Sequence, residues 1–205
     1  DEETMNQNWQ DFLASRGARF EADEASDDGD ALAELQAAAS DTVLAPLTQF
    51  GLIRATGEDA ATFLHNLFSN DVQHLGRDRA ERCGFCSPKG RLLADFLIWR
   101  EDHDYLLQLS ADIQPAMLKK LGMYILRSKV KLSDTGGDIV LLGIAGSGAA
   151  TAVKALGVDL PVVPFDMALF DGGVVIRLDE RRSQLAVRAD AAPQLLDQQC
   201  VLIRH

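Results

Sequence analysis

Apolar and polar positions are most informative in residues 82–99, where two predicted strands flank a tight turn at residues 87–90. Pro88 presets φ for the turn, and Gly90 stands where such turns favour glycine. The second strand is apolar on both faces, with Leu92, Ala94, Phe96 and Ile98 on one and Leu93, Leu97 and Trp99 on the other. This pattern predicts a central strand. Lys89, Arg91 and Asp95 interrupt it and mark a candidate site.

The same periodicities predict the other elements of the first half of the chain. Strands are expected at residues 42–50, 51–56, 80–86, 105–110 and 129–132. Helices are expected at residues 5–15, 31–39, 57–68 and 112–125. An acidic linker at residues 22–30 is too polar to bury a core face, and its carboxylates lack the order of a calcium-binding loop.

The Gly-rich stretch at residues 134–138 predicts a boundary between two folding units. Beyond it we expect strands at residues 139–144, 173–178, 184–187 and 200–205, and helices at residues 149–156 and 191–198. The expected organisation is an N-terminal helix and linker (1–40), a first α+β subdomain (41–135) and a second one (138–205). Helices should cover one face of mostly antiparallel sheets. The apolar final strand suggests that the second unit is truncated.

The net charge of −11 is unevenly distributed, because residues 1–30 hold ten acidic and two basic side chains. An acidic chain is a poor general binder of nucleic acid, so no direct binding is expected. Two stretches contain cations and no acids, residues 82–94 and 119–132. If they meet in space, they form a focused anion site; otherwise they are solvated surface.

Composition also bears on the cellular setting and the class of protein. Three cysteines in 205 residues argue against a disulfide scaffold and for a reducing, cytoplasmic location. No long apolar run or signal peptide is visible, so no membrane association is expected.

Most motifs that suggest chemistry have a simpler interpretation. Cys83 and Cys86 have C-x-x-C spacing, but a strand would point them to opposite faces, which disfavours a metal or dithiol site. Residues 143–148 have glycines in the wrong order for dinucleotide binding and indicate a tight strand-to-helix turn. Asp71 is either a capping residue or a ligand carboxylate. Asp95, expected to be buried, must find a partner or line a cavity.

Five motifs in order carry a family resemblance: residues 57–64 (GEDAATFL), 70–72 (NDV), 87–91 (SPKGR), 119–130 (KKLGMYILRSKV) and 141–146 (LLGIAG). Together they resemble the YgfZ-type folate-binding proteins, relatives of the glycine cleavage T-protein, an aminomethyltransferase. The resemblance implies a T-protein-like folate-binding fold of ferredoxin-like subdomains. It also implies tetrahydrofolate as ligand, and a role in assembling or repairing iron–sulfur clusters in client enzymes, including those that modify tRNA.

The resemblance also suggests how folate is held. Lys89, Arg91, Arg127 and Lys129 would attract its glutamate tail, which is often polyglutamylated. Phe50 would contact the pterin, and Asp71 and Asp95 complete the candidate set; no catalytic residue is assigned. The family's Lys-Gly-Cys-Tyr-x-Gly-Gln-Glu signature and C-terminal barrel are absent from this sequence. Aminomethyl transfer to tetrahydrofolate and a scaffold without folate remain the alternatives.

Overall fold

A computed structural model describes residues 7–15, 19–21, 24–26, 42–135, 137–193 and 201–202. The chain divides into two compact units. Unit A comprises Gln49–Thr135, and unit B comprises Asp1–Thr48 together with Gly136–His205. The helix expected at residues 31–39, most of the acidic linker and Cys200 lie outside the described residues.

The helices and strands follow in chain order. They are α1 (Gln7–Ser15), β1 (Arg19–Glu21), β2 (Glu24–Ser26), β3 (Val43–Pro46), β4 (Phe50–Thr56), α2 (Ala60–Leu67), β5 (Glu81–Cys86), β6 (Leu92–Glu101), β7 (Asp104–Ser110), α3 (Gln114–Gly122), β8 (Lys131–Asp134), β9 (Ile139–Ala145), α4 (Ala149–Lys154), β10 (Met167–Phe170), β11 (Gly173–Arg177), β12 (Arg182–Arg188) and β13 (Val201–Leu202). Short 3-10 turns occur at Val72–His74 and Ala111–Ile113.

Unit A is an antiparallel sheet in the order β5-β6-β7-β4-β8. Its core joins one face of the sheet to α2 and α3, with Ile53, Phe96 and Leu107 packed in one cluster with Leu64 and Leu121. The opposite face is also buried along β6, where Leu97 is 7% and Trp99 0% exposed. The apolar character of both faces therefore correctly predicted a strand buried on both sides.

Unit B is a second sheet in the order β10-β11-β12-β9-β3-β13, antiparallel except for the β13–β3 pair. Trp9 of α1 is 2% exposed and packs in one cluster with Leu142 and Val153. Residues 143–148 form the expected strand-to-helix turn, where the Ala149 N–H donates to the Gly146 carbonyl at 3.2 Å. The two sheets and their few helices confirm the α+β class.

Unit B differs from the sequence expectation in two respects. Residues 43–46, expected within the 41–135 subdomain, form β3 and pair with β9 in the sheet of unit B, for example through Leu44 and Ile144. All four residues of β3 are buried, so it needs neighbours, but its composition does not say which sheet provides them. The strand β10 was not predicted, because its four residues are too few for a clear alternation.

Candidate functional site

The turn between β5 and β6 has the predicted geometry. The Gly90 N–H donates to the Ser87 carbonyl at 2.8 Å, and the Ser87 N–H donates to the Arg91 carbonyl at 2.8 Å. Gly90 has φ +74°, a conformation that favours glycine. Lys89 and Arg91 are exposed at this turn, and within the described part of the chain neither forms an ion pair. The turn thus presents two cations to solvent.

Phe50 lies at the same end of the unit A sheet as this turn. It begins β4 and pairs with Ser110, the last residue of β7, while its side chain is 37% exposed. Ile53 belongs to the core that packs against the helices. Because side chains alternate along a strand, Leu52 and Phe50 point to the opposite face of the sheet. An exposed aromatic ring at a strand end can stack on a planar ligand.

Asp95 shares this face and this end with Phe50. One row of cross-strand partners runs from Leu52 of β4 through Gln108 of β7 to Leu97 of β6. Phe50 precedes Leu52 by two residues, and Asp95 precedes Leu97 by two, so both lie in the neighbouring row. Two strand spacings, about 10 Å, therefore separate their backbones. Both predicted residues therefore lie at the end of the unit A sheet from which the cationic turn extends.

The expectation that Asp95 is buried is wrong. Its side chain is 73% exposed, and its Oδ2 lies 3.6 Å from Arg82 Nη1. Two features of the sheet explain this exposure. Gly84 is the cross-strand partner of Asp95 and has no side chain to cover it, and the pairing of β6 with β7 ends at Leu97. Asp95 is thus an exposed carboxylate beside a guanidinium rather than an unpartnered buried charge.

Asp71 caps a local turn. It accepts a hydrogen bond from the His74 backbone N–H at 3.3 Å, and its Oδ2 lies 2.8 Å from His74 Nδ1. His65 Nδ1 lies 3.2 Å from the other carboxylate oxygen. The side-chain hydrogen bond with His74 lowers the pKa of Asp71 below its ordinary value. Of the two roles considered for Asp71, the structure shows the capping one.

Lys129 lies at the opposite end of the unit A sheet from Phe50. Its Nζ pairs with Glu58 at 2.7 Å, and its backbone N–H donates to Asp59 Oδ2 at 2.7 Å. Its carbonyl closely approaches Gly57, where a Cβ atom would come within 2.0 Å of the oxygen. Since Gly57 follows the last residue of β4, the whole strand, about 20 Å, separates Lys129 from Phe50. Lys129 is therefore remote from Phe50, although both were expected to contact the same ligand.

The two acid-free stretches nevertheless meet elsewhere. Tyr124, from residues 119–132, packs edge-on against Phe85, from residues 82–94, with ring centroids 5.9 Å apart. The expected helix over residues 112–125 ends at Gly122, so Met123, Tyr124 and Leu126 lie in the following segment with exposures of 65%, 42% and 86%. The sequence analysis missed this exposed surface. Gly122 was the available signal, because glycine commonly ends helices.

The two cysteines of the C-x-x-C spacing do not lie on the same face of β5. Cys83 is buried and Cys86 is exposed, as alternation along β5 requires. Burial raises the pKa of the Cys83 thiol to about 12. Among the described residues, no group of three or more histidine, cysteine or acidic side chains is arranged to hold a metal ion. No helix in those same residues is long and apolar enough to cross a bilayer.

These features define a class: a two-unit α+β protein of mostly antiparallel sheets, with an exposed aromatic ring and a cationic turn at one end of the unit A sheet. Residues 10–169 match the GCVT N-terminal domain family, and the chain belongs to that family.

The relatives agree with this assignment. The chain is 26% identical over 161 residues to the tRNA-modifying protein YgfZ of Vibrio vulnificus (strain YJ016), covering 78% of this chain and 48% of the relative. It is 32% identical over 108 residues to the mitochondrial iron–sulfur cluster assembly factor IBA57 homolog of Mycosarcoma maydis, covering 46% and 27%. The chain therefore spans about half of the YgfZ relative's length.

The solved structure of glycine cleavage system aminomethyltransferase T from Bartonella henselae matches with a TM-score of 0.78. The match has 17% sequence identity and covers 95% of this chain and 58% of that one. At this identity the likeness shows the fold alone. The T-protein-like fold implied by the motifs is thereby confirmed.

Proposed function

We propose that the protein binds tetrahydrofolate at the Phe50 end of the unit A sheet. The observation that carries this proposal is the position of an exposed aromatic ring, Phe50, at the same end of one sheet as two cations, Lys89 and Arg91. The ring suits the planar pterin. The cations suit the carboxylates of the glutamate tail, which an otherwise acidic protein would repel.

The proposed site is smaller than the one expected from the sequence. Lys129 is paired with Glu58, and Asp71 is engaged by His74, so neither is included. Arg127 is exposed on the segment that follows α3 and is likewise not included. Asp95 stays in the set as the carboxylate on the Phe50 face, where it can accept a hydrogen bond from a pterin nitrogen.

We further propose that folate binding serves the assembly or repair of iron–sulfur clusters, in enzymes that include those modifying tRNA. The similarity of this chain to the tRNA-modifying protein YgfZ and to an iron–sulfur cluster assembly factor supports this role. The setting would be cytoplasmic, with iron–sulfur client proteins as partners. Aminomethyl transfer is the alternative suggested by the T-protein fold. The accessory role is favoured over this transfer because the YgfZ relative is a tRNA-modifying protein and the IBA57 relative is an iron–sulfur cluster assembly factor.

Calorimetric titration of the 205-residue chain with tetrahydrofolate tests the proposal. Saturable heat that is diminished in Phe50→Ala supports it. Leu169 is 42% exposed in unit B, so Leu169→Ala is the matched control and should bind as the wild type does. Absence of heat at millimolar tetrahydrofolate would contradict folate binding and would favour a protein scaffold that does not bind folate. Formation of methylene-tetrahydrofolate from an aminomethyl donor would instead establish the transferase.

A further inference from the structure

Arg82 is a further cation on the Phe50 face of the unit A sheet. Its neighbour Cys83 belongs to the core that packs against the helices. Because side chains alternate along β5, Arg82 points to the opposite face, which is the face of Phe50. The Arg82 side chain is 65% exposed, and its Nη1 lies 3.6 Å from Asp95 Oδ2. Arg82 was not among the residues expected from the sequence to hold folate.

The ion pair with Asp95 leaves the Arg82 guanidinium able to bind a ligand. A separation of 3.6 Å is too long for a hydrogen bond. Across the described ranges of the chain, the Arg82 side chain has no polar partner besides Asp95. A guanidinium carries five N–H donors in a planar fork that matches a carboxylate. Arg82 can therefore donate to a second carboxylate while Asp95 stays beside it.

Asp95 lies between Phe50 and Arg82 in the order of the strands. That order is β4-β7-β6-β5, so three strand spacings, about 14 Å, separate the backbones of β4 and β5. In tetrahydrofolate, the p-aminobenzoyl group likewise separates the pterin from the first glutamate. A ligand that stacks its pterin on Phe50 and runs its tail across β7 and β6 therefore presents the first glutamate to Arg82.

The cations of the β5–β6 turn lie on the other side of Asp95 along the hairpin. Arg82 pairs across the strands with Leu97, which follows Asp95 by two residues. Arg91 instead precedes Asp95 by four residues, about 13 Å of extended chain. One glutamate is too short to contact Arg82 and the turn at once. The two cation positions thus suit different carboxylates of a polyglutamate tail.

We propose that Arg82 binds the α-carboxylate of the first glutamate of tetrahydrofolate. This inference rests on the proposed folate site and adds a residue that determines its affinity for the tail. Further glutamates attach through the γ-carboxyl, so the first α-carboxylate is free in every polyglutamate and Arg82 binds all forms alike. Arg82 also offsets the repulsion between this carboxylate and Asp95. Lys89 and Arg91 then bind the glutamates that are added beyond the first.

Calorimetry with monoglutamyl tetrahydrofolate and with its glutamate dimethyl ester tests the proposal. The ester retains the pterin and the p-aminobenzoyl group but has no carboxylate for Arg82 to bind. Arg82→Ala should weaken binding of the acid about tenfold, the loss typical of one charge-assisted hydrogen bond. The same variant should leave the affinity for the ester unchanged. Pentaglutamyl tetrahydrofolate should lose the same factor as the monoglutamyl form, because its first α-carboxylate is intact.

Arg77→Ala is the matched control. Arg77 is also an exposed arginine of unit A that pairs with an aspartate, Asp102. Asp102 lies in the turn between β6 and β7, at the other end of the sheet from Phe50, so this variant should bind both ligands as the wild type does. Equal weakening of the acid and the ester by Arg82→Ala, or no weakening of the acid, would overturn the proposal.

An Asp95→Asn background distinguishes direct contact from charge compensation. If Arg82 contacts the ligand, Arg82→Ala weakens binding of the acid in that background as well. No further weakening there would show that Arg82 only offsets the charge of Asp95, and would overturn the proposal. A wild-type chain that binds neither ligand contradicts the folate site itself, whereas binding that does not depend on Arg82 contradicts only this inference. Circular dichroism of each variant checks that the fold is retained.

Discussion

Tyr124 packs its ring edge-on against Phe85, with the ring centroids 5.9 Å apart and the planes at 85°. This one contact joins the two stretches of the chain that contain cations and no acids. It also holds the segment that follows α3 against β5. The contact therefore brings two stretches that are distant in the sequence together at one point of unit A.

Replacing Tyr124 should measure how much this contact stabilises unit A. Tyr124→Ala is expected to lower the free energy of unfolding by about 1 kcal/mol, the usual contribution of an aromatic pair of this geometry. Tyr124→Phe retains the ring and should be close to wild type. Urea denaturation followed by circular dichroism provides the comparison, and equal loss in both variants would show that the ring contact is not the cause.

Asp59 should contribute more to stability than Lys129, although both lie at the same junction. Asp59→Ala removes the acceptor of the Lys129 backbone N–H and should cost about 1 kcal/mol. Lys129→Ala removes only an exposed ion pair with Glu58 and should cost less than about 0.5 kcal/mol. A larger loss in Lys129→Ala than in Asp59→Ala, measured by chemical denaturation, would contradict this ranking.

The pKa of Asp71 predicts a defined pH dependence. The hydrogen bond with His74 lowers that pKa below 3.8, so the folded state favours the ionised carboxylate. The stability gained is therefore present above pH 3.8 and is lost as the pH falls through the lower, folded-state pKa. The difference in stability between wild type and Asp71→Asn should shrink over that acidic range.

An NMR titration of the Asp71 carboxyl measures this pKa directly. His74→Ala removes the imidazole that forms this hydrogen bond and should raise the Asp71 pKa toward its ordinary value. His103→Ala, which changes a histidine elsewhere in unit A, is the control and should leave the Asp71 pKa unchanged. An Asp71 pKa that is the same in wild type and His74→Ala would rule out the assigned cause.

The two cysteines of β5 should differ in reactivity, because their side chains lie on opposite faces of the strand. In a Cys200→Ser background, Cys86 should react rapidly with a thiol reagent at pH 8. Cys83 should react only after unfolding, since it is buried and its pKa is raised to about 12. Mass spectrometry of the labelled peptides distinguishes the two sites. Equal labelling rates in the folded protein would contradict their assigned environments.

The sequence correctly predicted the features that depend on neighbouring residues in the chain. Pro88 and Gly90 predicted the β5–β6 turn, and the apolar residues on both faces of β6 predicted its burial. The exposure of Asp95 was not predictable from β6 alone, because it depends on a glycine across the strand and on where the β7 pairing ends. The pairing of Leu44 with Ile144 and the separation of Lys129 from Phe50 depend on the arrangement of strands, which residue periodicity does not specify.

The affinity ratio between pentaglutamyl and monoglutamyl tetrahydrofolate tests the central claim most directly. Calorimetry should show tighter binding of the pentaglutamyl form to the wild-type chain, because its extra carboxylates reach Lys89 and Arg91. The double variant Lys89→Ala with Arg91→Ala should remove that preference while retaining monoglutamyl binding, and Phe50→Ala should weaken both ligands alike. An unchanged preference in the double variant, or no binding of either ligand by the wild type, would contradict the assignment of this end of the sheet as the folate site.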